Sequence, residues 1–252
     1  VDLPGLTFKS PEIQWDAIKD NRELAMILLP HNKVMNAPGN PTWDLTKGAF
    51  GPFKDQMFLG DQTQSCIYRI ATETINGIEQ GVVLPFANRL ASGVMRLNFN
   101  PKDKSLWDGQ TGRGRRARGG AESSLQKITF NGQQPNAIYT VKVNAKGFDI
   151  HFTKAQDSQN FGPIKVSSWY YEDSRHYGSP EKGGRSEEIS SIKWSADKKT
   201  CSMEFKSFKI EDKKVAGHTS RVYYLDLTQT SFGKTVGAFL SKAYYTLNSI
   251  PK

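Results

Sequence analysis

The sequence predicts an all-β protein built in two halves. Of its 252 residues, 22 are glycine and 12 are proline, and aromatic side chains make up 11%. This composition is typical of chains with many short strands and turns. Short segments with alternating apolar and polar residues recur between polar turns, and we place the two halves at residues 1–132 and 133–252. A chain of this length can bury the core of one large or two ordinary domains.

The first half contains a loose internal repeat. Met57–Thr63 (MFLGDQT) is echoed by Leu106–Thr111 (LWDGQT), and Met26–Pro30 (MILLP) by Gly81–Pro85 (GVVLP). Units of three or four short strands, spaced by about fifty residues, stack as propeller blades or packed sheets because one such unit cannot bury both of its faces. The best strands predicted here are Gln56–Gly60, Ser65–Ile70, Gly93–Asn98 and Leu125–Phe130.

The beginning of the chain is less regular. Val1–Asn21 is expected to be an irregular lead-in that contains a short strand at Pro11–Trp15. Arg22–Leu29 ends in an apolar run that fits either a buried strand or a helical turn. Asn36–Gly51 is predicted to be a long loop in which aromatic side chains, Trp43 and Phe50, plug a gap.

The second half has the pattern of a β-sandwich. Polar turns such as Asn144–Gly147 and Ser195–Lys199 separate short alternating segments. Seven short strands with turns between them are typical of two packed antiparallel sheets. The predicted strands are Ala137–Asn144, Phe148–Thr153, Ile164–Tyr171, Glu188–Trp194, Thr200–Phe205, Arg221–Leu227 and Ala243–Leu247.

A loop rich in glycine and arginine, Gly109–Gly120, is the most distinctive segment; we call it the Gly/Arg loop. It carries four of the eleven arginines, Arg113, Arg115, Arg116 and Arg118. Glycine allows a backbone to approach a ligand closely, and arginine forms forked bonds with carboxylate or phosphate. Three interpretations stay open: a solvated connection, a specific anion site, and nonspecific attraction of polyanions by a chain of net charge +9.

Several classes of site have no signature in the sequence. Cys66 and Cys201 are the only cysteines, and buried thiols are favoured over a disulfide. No metal motif is present, since the four histidines are far apart (His31, His151, His176 and His218). The sequence also lacks an apolar run long enough for a membrane span, a nucleophile elbow, a P-loop and a dinucleotide fingerprint. Nucleic acid is not favoured as a partner, because scattered lysines on strands are normal surface features.

Specific segments resemble a known family. Gly51–Thr63 (GPFKDQMFLGDQT), Ala91–Leu97 (ASGVMRL) and the Gly/Arg loop resemble the last blades of secreted β-propellers of the glucose/sorbosone-dehydrogenase-like kind. Lys146–Thr153 (KGFDIHFT), Tyr177–Glu181 (YGSPE) and Tyr244–Asn248 (YYTLN) resemble the immunoglobulin-like domain that follows such propellers in large secreted proteins.

The resemblance covers residues 48–252 and implies an architecture. It implies a partial β-propeller of about two blades over 1–132 and an immunoglobulin-like β-sandwich over 133–252. It also implies an extracellular or periplasmic location. Since such a propeller has about six blades, the expected partners are other blades of the same protein or another subunit.

The resemblance further implies a cofactor for the enzymes of that family. They use pyrroloquinoline quinone, with calcium, and basic side chains near the central channel hold the quinone. In this chain the cationic candidates are Arg113, Arg115, Arg116 and Arg118. The family's proton-accepting histidine lies in an earlier blade, and here the first half contains only His31.

Other candidate ligand residues are Asp61, Trp107, Trp169 and Tyr171. Asp61 lies in the Gly60-Asp61-Gln62 step and is a calcium candidate, but one carboxylate does not make a site. Paired carboxylates of a glycosidase are also conceivable, although turn roles explain the acidic residues equally well (Asp55, Asp61, Asp103 and Asp108). Trp169 and Tyr171 belong to an aromatic run in which successive residues face opposite sides of a strand, so that an exposed ring could stack on a sugar.

Two functional hypotheses follow. The favoured one is a noncatalytic or accessory segment of a secreted propeller protein that binds a glycan or a partner subunit. The alternative is a part of a quinone-dependent sugar or alcohol dehydrogenase with an anion site at the Gly/Arg loop. The absence of a histidine between Asn32 and Ile150 favours the first hypothesis.

Overall fold

The computed structural model of the protein describes residues 24–114, 116–171, 178–210 and 220–252. These residues are almost entirely in strands and connections, which confirms the all-β prediction. In chain order the strands are β1 (Pro38–Trp43), β2 (Met57–Asp61), β3 (Cys66–Ile75), β4 (Ile78–Ala87), β5 (Val94–Phe99), β6 (Leu106–Thr111), β7 (Ser123–Ile128), β8 (Ile138–Asn144), β9 (Gly147–Phe152), β10 (Lys165–Tyr171), β11 (Glu181–Ser186), β12 (Ile189–Trp194), β13 (Thr200–Phe205), β14 (Arg221–Asp226) and β15 (Lys242–Leu247). One short helix, α1 (Ser231–Val236), precedes β15.

The described strands form three open sheets, and none of these sheets closes into a barrel or a propeller. The largest has eight strands in the order β1-β2-β3-β4-β15-β14-β10-β11. The second has the order β12-β13-β9-β8, and the third is the meander β5-β6-β7. All neighbouring strands are antiparallel.

The eight-stranded sheet joins the two halves of the sequence. In the β4–β15 ladder, Val83 lies opposite Tyr244 and Val82 lies opposite Tyr245. The large hydrophobic core between this sheet and the second sheet contains Val82 and Leu84 as well as residues of β8–β10 and β13–β15. The second half therefore forms two packed layers, and one of them continues into the first half. The boundary at residue 132 falls in the irregular connection between β7 and β8 and stays a prediction.

The first half packs its two meanders face to face. Aromatic and aliphatic side chains from the β1–β4 meander and the third sheet form a separate core that includes Phe58, Ile67, Val94 and Leu106. The backbones approach closely at Gly60, where a Cβ atom would lie 2.2 Å from Cγ1 of Val94. Only glycine fits between the sheets at that point.

Most predicted strands are confirmed, including all four from the first half and all seven from the second. The Met57–Thr63 and Leu106–Thr111 echo lies on β2 and β6, and each of these strands leads to an antiparallel partner. The other echo is wrong as a structural repeat. Gly81–Pro85 lies in β4, whereas Met26–Pro30 is irregular, so neither the strand nor the helical turn expected there is present.

The predicted loop at Asn36–Gly51 is partly wrong, because it contains β1. Proline lacks a backbone donor, and Pro38 and Pro41 argued against a strand. The strand forms nevertheless because β1 is the edge of its sheet and pairs only with β2. Phe50 is buried as expected, whereas Trp43 is 42% exposed and plugs no gap.

Four other elements were not among the predicted strands. β4 and β6 coincide only with the echo segments Gly81–Pro85 and Leu106–Thr111. β11 (EKGGRS) has no apolar alternation and pairs as an edge strand with β10. The single turn α1 begins where the side chain of Thr230 accepts a hydrogen bond from Gly233 N at 3.0 Å. The strand predicted at Pro11–Trp15 lies outside the described residues.

Candidate functional site

A cleft of about 600 Å³ lies beside the Gly/Arg loop; we call it the cationic cleft. Four separate segments of the chain form its walls: the turn before β1, the start of β3, the β4–β5 connection and the Gly/Arg loop. Two further lining residues are Phe239, which precedes β15, and Lys242, which begins it. The lining residues include Asn32, Lys33, Val34, Gln64, Ser65, Cys66, Tyr68, Asn88, Arg89, Leu90, Arg118, Gly119, Phe239 and Lys242. The volume is within the range typical of ligand pockets.

The cleft is strongly positive. Four of its lining residues are basic: Lys33, Arg89, Arg118 and Lys242. Lys33 forms an ion pair with Glu181, with Nζ and Oε2 2.6 Å apart. The other three have no acidic partner within the described parts of the chain. Unpaired cations that converge on one concave surface raise the local concentration of anions.

Asp61 holds two walls of the cleft together. Its carboxylate is fully buried and accepts backbone hydrogen bonds from Asn36 at 2.6 Å and Ala37 at 2.7 Å on one side. On the other side it accepts one from Gln64 at 2.5 Å. Asn36 in turn bonds the backbone amide and the side chain of Asn32. Asp61 therefore positions the turn that carries Lys33 against the start of β3.

Hydrogen bonds attach the Gly/Arg loop to the residues just before β3. The backbone amide of Arg118 donates to Thr63 O at 3.0 Å, and that of Gly119 donates to Oγ of Ser65 at 2.9 Å. A Cβ atom at Gly119 would lie only 2.2 Å from Leu90 O. Glycine at this position lets the loop pack on the β4–β5 connection, which places Arg118 and Arg89 in the wall of the same cleft.

Three residues of the cleft have positive φ although they are not glycine. They are Asn32 at 63°, Ser65 at 52° and Arg89 at 59°. Such conformations are costly for side chains other than Asn and Asp and are common at ligand sites. The surrounding hydrogen bonds, including Leu90 N to Ser65 O at 3.2 Å, hold this conformation in place.

The floor of the cleft is apolar and aromatic. Tyr68 packs edge-on against Phe239, with ring centroids 5.7 Å apart. Burial raises the pKa of Tyr68 well above its ordinary value, so its phenol is a neutral hydrogen-bonding group. Burial, together with the nearby Asp61 charge, raises the pKa of the Cys66 thiol to about 12 although Arg118 opposes the shift.

A second hollow of about 850 Å³ continues from the cationic cleft; we call it the aromatic groove. The two share Asn32, Lys33 and Lys242 as lining residues. In the groove, Lys33 Nζ lies 4.0 Å above the ring of Trp169. Tyr224 and Tyr244 stack with centroids 4.8 Å apart. Together the two hollows form an extended channel in which basic and aromatic side chains line both parts.

The four arginines of the Gly/Arg loop do not act as one group. Arg118 lines the cationic cleft. Arg113 and Arg116 line a different, shallow hollow of about 390 Å³ with Glu122. Arg115 lies outside the described residues. The loop therefore offers two separate cationic surfaces.

The other predicted residues are distributed as follows. Trp169 lines the aromatic groove but is only 5% exposed. Tyr171 donates from its hydroxyl to Glu181 at 3.3 Å, and burial raises its pKa to about 12. Trp107 lies away from the channel on β6, with Lys127 Nζ 5.6 Å from its ring centroid. Asp61 is a buried structural residue, and we leave it out of the ligand site.

The remaining carboxylates also have local structural partners. Asp103 is exposed and pairs with Lys127 at 2.7 Å, and the Lys127 and Ser105 side chains lower its pKa. Asp108 is buried beside Gln110, and burial raises its pKa. None of the four acidic residues considered for a glycosidase lines the channel.

The structure adds Lys33, Arg89 and Lys242 to the site. Each is a single basic residue in a separate segment of the sequence, so no spacing marks them. The unusual backbone conformations of Asn32, Ser65 and Arg89 are a property of the folded chain and cannot be read from residue types alone.

No metal centre or histidine cluster accompanies the cleft. Within the described ranges, no group of three or more His, Cys, Asp or Glu side chains is arranged to hold a metal ion. His31 is exposed and precedes the cleft residues Asn32 and Lys33 without lining the cleft itself. His176 and His218 lie outside the described residues. Among the described residues, no helix has both the length and the apolar character needed to cross a membrane.

The two buried thiols are expected to make the stability of the protein depend on pH. Cys66 and Cys201 are both free and buried, and burial raises the pKa of each to about 12 from 9.0. The unfolded chain therefore ionises these thiols first, so their stabilising contribution is complete below pH 9.0 and is lost between pH 9.0 and about 12. We expect the urea midpoint to fall with pH above 9.0, and each thiol to account for about 1.4 kcal/mol per pH unit.

The variant Cys201→Ala isolates one thiol. Its unfolding free energy, measured from pH 8 to pH 11, is expected to fall less steeply than that of the parent. At pH 8 the parent should also resist labelling by a thiol-reactive disulfide until urea unfolds it. Equal slopes for the variant and the parent would show that Cys201 does not contribute in this way.

Comparison of the chain with models of known protein families, with curated proteins and with solved structures found no match.

Proposed function

We propose that this chain is a noncatalytic binding segment that holds an acidic glycan, carrying carboxylate or sulfate groups, in the channel formed by the cationic cleft and the aromatic groove. The observation that supports this most directly is the convergence of Arg89, Arg118 and Lys242, all without acidic partners among the described residues, on one cleft. Guanidinium groups bind carboxylate and sulfate in a forked geometry.

The shape and chemistry of the channel favour a sugar chain over a compact anion. The cleft continues through Lys33 and Lys242 into a second hollow of comparable size. Amide and hydroxyl side chains, such as Gln64 and Asn88 in the cleft, supply groups that pair with sugar hydroxyls. The half-buried ring of Tyr224, which stacks on Tyr244, supplies an apolar face of the kind on which sugar rings pack.

We further propose that the chain is an accessory part of a secreted, extracellular or periplasmic, propeller protein. The four-stranded meander β1–β4 and the three-stranded meander β5–β7 pack face to face, as neighbouring propeller blades do. The outer face of the third sheet carries Leu125, which is 67% exposed, and Trp107. Another blade or a partner subunit would cover this face.

Binding of a sulfated or uronate oligosaccharide tests the glycan proposal. We expect the parent to bind oligogalacturonate or a dextran sulfate fragment in isothermal titration and to ignore neutral dextran. The double variant Arg89→Gln/Arg118→Gln should weaken binding by about tenfold or more, since each exposed charged contact contributes up to about 1 kcal/mol.

The matched control is Arg113→Gln/Arg116→Gln. It removes the same two charges from the same part of the chain but from the separate hollow. We expect this variant to bind almost as well as the parent. Equal losses in the two double variants would mean that net charge alone attracts the polyanion, and the specific site would be rejected.

Pyrroloquinoline quinone is the second candidate ligand, because Arg118 of the Gly/Arg loop does line a cleft with carboxylate-binding cations. The described residues fit the quinone's carboxylates but provide no calcium ligand group, and no histidine lines the cleft. A quinone absorbance change in the parent that is lost in Arg89→Gln/Arg118→Gln, together with oxidation of an added sugar, would favour the dehydrogenase hypothesis instead.

A further inference from the structure

A second cavity, distinct from the channel, lies where the two halves of the chain meet; we call it the Arg69 pocket. It has a volume of about 260 Å³ and shares no lining residue with the cationic cleft. The irregular connection between β7 and β8 forms one side of it. Its apolar walls come from Phe50, Pro52, Phe53, Pro85, Phe86, Ile128, Phe130, Pro135, Ala137 and Leu240.

Among the described residues, Arg69 is the only charged side chain that lines this pocket. It is 2% exposed, and its guanidinium lies 3.7 Å from the ring centroid of Phe53. Nη2 donates to Ile138 O at 2.8 Å, and Nη1 bonds Gln56 Oε1. Because Phe53 and the backbone next to Ile138 belong to the same wall, the guanidinium end of Arg69 faces this region.

The charge of Arg69 has no counter-ion in the described parts of the chain. It forms no ion pair there, and its Nε hydrogen is buried without an acceptor. Burial lowers the pKa of Arg69 to about 9, and only Tyr139 opposes that shift. A buried cation normally pairs with an anion, because the cost of removing it from water is otherwise uncompensated.

We propose that the Arg69 pocket binds a small aromatic monocarboxylate, whose ring packs among the phenylalanines and whose carboxylate pairs with Arg69. The volume supports this size, since an apolar cavity of about 150 Å³ already accommodates benzene. Edge-on aromatic packing is established in the wall, where Phe53 and Phe86 lie 6.1 Å apart at 88°. A guanidinium with an unused Nε donor provides the charge-assisted bond.

Benzoate and 3-phenylpropionate are suitable probes. We expect one of them to bind the full chain with a dissociation constant of about 1 mM or lower. Benzamide, which has the same shape without the charge, should bind at least tenfold more weakly, and sulfate, which has the charge without a ring, should not compete. Equal affinity for benzoate and benzamide, or no binding of any probe up to about 10 mM, would overturn the proposal.

Two kinds of variant separate ligand binding from folding. Arg69→Gln tests the charge, and it is informative if the chain remains folded by circular dichroism. Phe130→Ala removes a wall residue that is 37% exposed, so it should leave folding intact and weaken benzoate binding about tenfold. Unchanged affinity in Phe130→Ala would overturn the proposed location even if Arg69→Gln does not fold.

The channel variants distinguish this site from the glycan site. Arg89→Gln/Arg118→Gln should leave benzoate binding unchanged, whereas it weakens binding of the acidic oligosaccharide. A parallel loss of both ligands would place benzoate in the cationic cleft and would reject the Arg69 pocket as a separate site.

Discussion

Replacement of Asp61 by alanine is expected to destabilise the protein by about 3–5 kcal/mol, a large part of the stability of an ordinary domain. The carboxylate is fully buried and receives the backbone amides of Asn36, Ala37 and Gln64. Its removal leaves three partly buried backbone donors without their acceptor, and an unsatisfied buried donor costs about 1–3 kcal/mol. Urea unfolding followed by fluorescence measures the difference.

The matched control is Asp157→Ala. Asp157 also accepts two backbone hydrogen bonds, from Gln159 and Asn160 at 3.2 Å each, but these bonds are exposed. Water can replace them, so the expected cost is below about 1 kcal/mol. Similar losses in Asp61→Ala and Asp157→Ala would show that burial of Asp61 is not the source of its contribution.

Asp61 also illustrates what sequence can and cannot predict about this site. The Gly-Asp-Gln step is conspicuous in the sequence, and a calcium or ligand role was a reasonable hypothesis. In the structure the carboxylate accepts hydrogen bonds from backbone amides in a turn that begins 25 residues earlier in the chain. No local sequence pattern reveals that backbone amides from a distant segment will donate hydrogen bonds to a carboxylate.

The strands were more predictable than their assembly. Alternation marks β8, β9 and β13 clearly, because one face of each is buried in the main core. β1 was missed because its prolines normally exclude strands, and β11 because it has no apolar residue to pattern. The alternation of a strand says which face is buried and does not say which strand lies beside it. The pairing of β4 with β15 therefore could not be predicted from the sequence.

The cationic cleft shows the same limit. Arg118 was a candidate because arginines cluster in the Gly/Arg loop, but Arg113 and Arg116 from that cluster line another surface. Its partners Arg89 and Lys242 come from the β4–β5 connection and from the start of β15, which are far apart in sequence. Composition identified a loop that could bind anions, and tertiary structure decided which of its side chains share a cleft.

The pairing of β4 with β15 leads to the second large effect, which concerns the independence of the two halves. The β-sandwich that the sequence predicts over residues 133–252 would be a domain that folds alone. The structure argues against that independence, because Val82 and Leu84 complete the main core and β4 covers the edge of β15. The fragment 133–252 should lose its cooperative thermal transition when it is expressed alone.

A single substitution in the full chain tests whether the second half depends on β4, without cutting the chain. Leu84→Ala should cost about 2–5 kcal/mol and should reduce hydrogen-exchange protection in β14 and β15, since Leu84 packs in their core. Leu97→Ala removes an equally buried leucine from the separate core between the two meanders. If that core opens independently, protection in β14 and β15 survives the Leu97 change. Full protection of β14 in Leu84→Ala, or a fragment 133–252 that melts like the intact chain, would mean that the sandwich does not need β4. Loss of protection with Leu84→Ala alone would establish that the first half contributes a structural strand to the second, and that the cut after residue 132 removes part of its core.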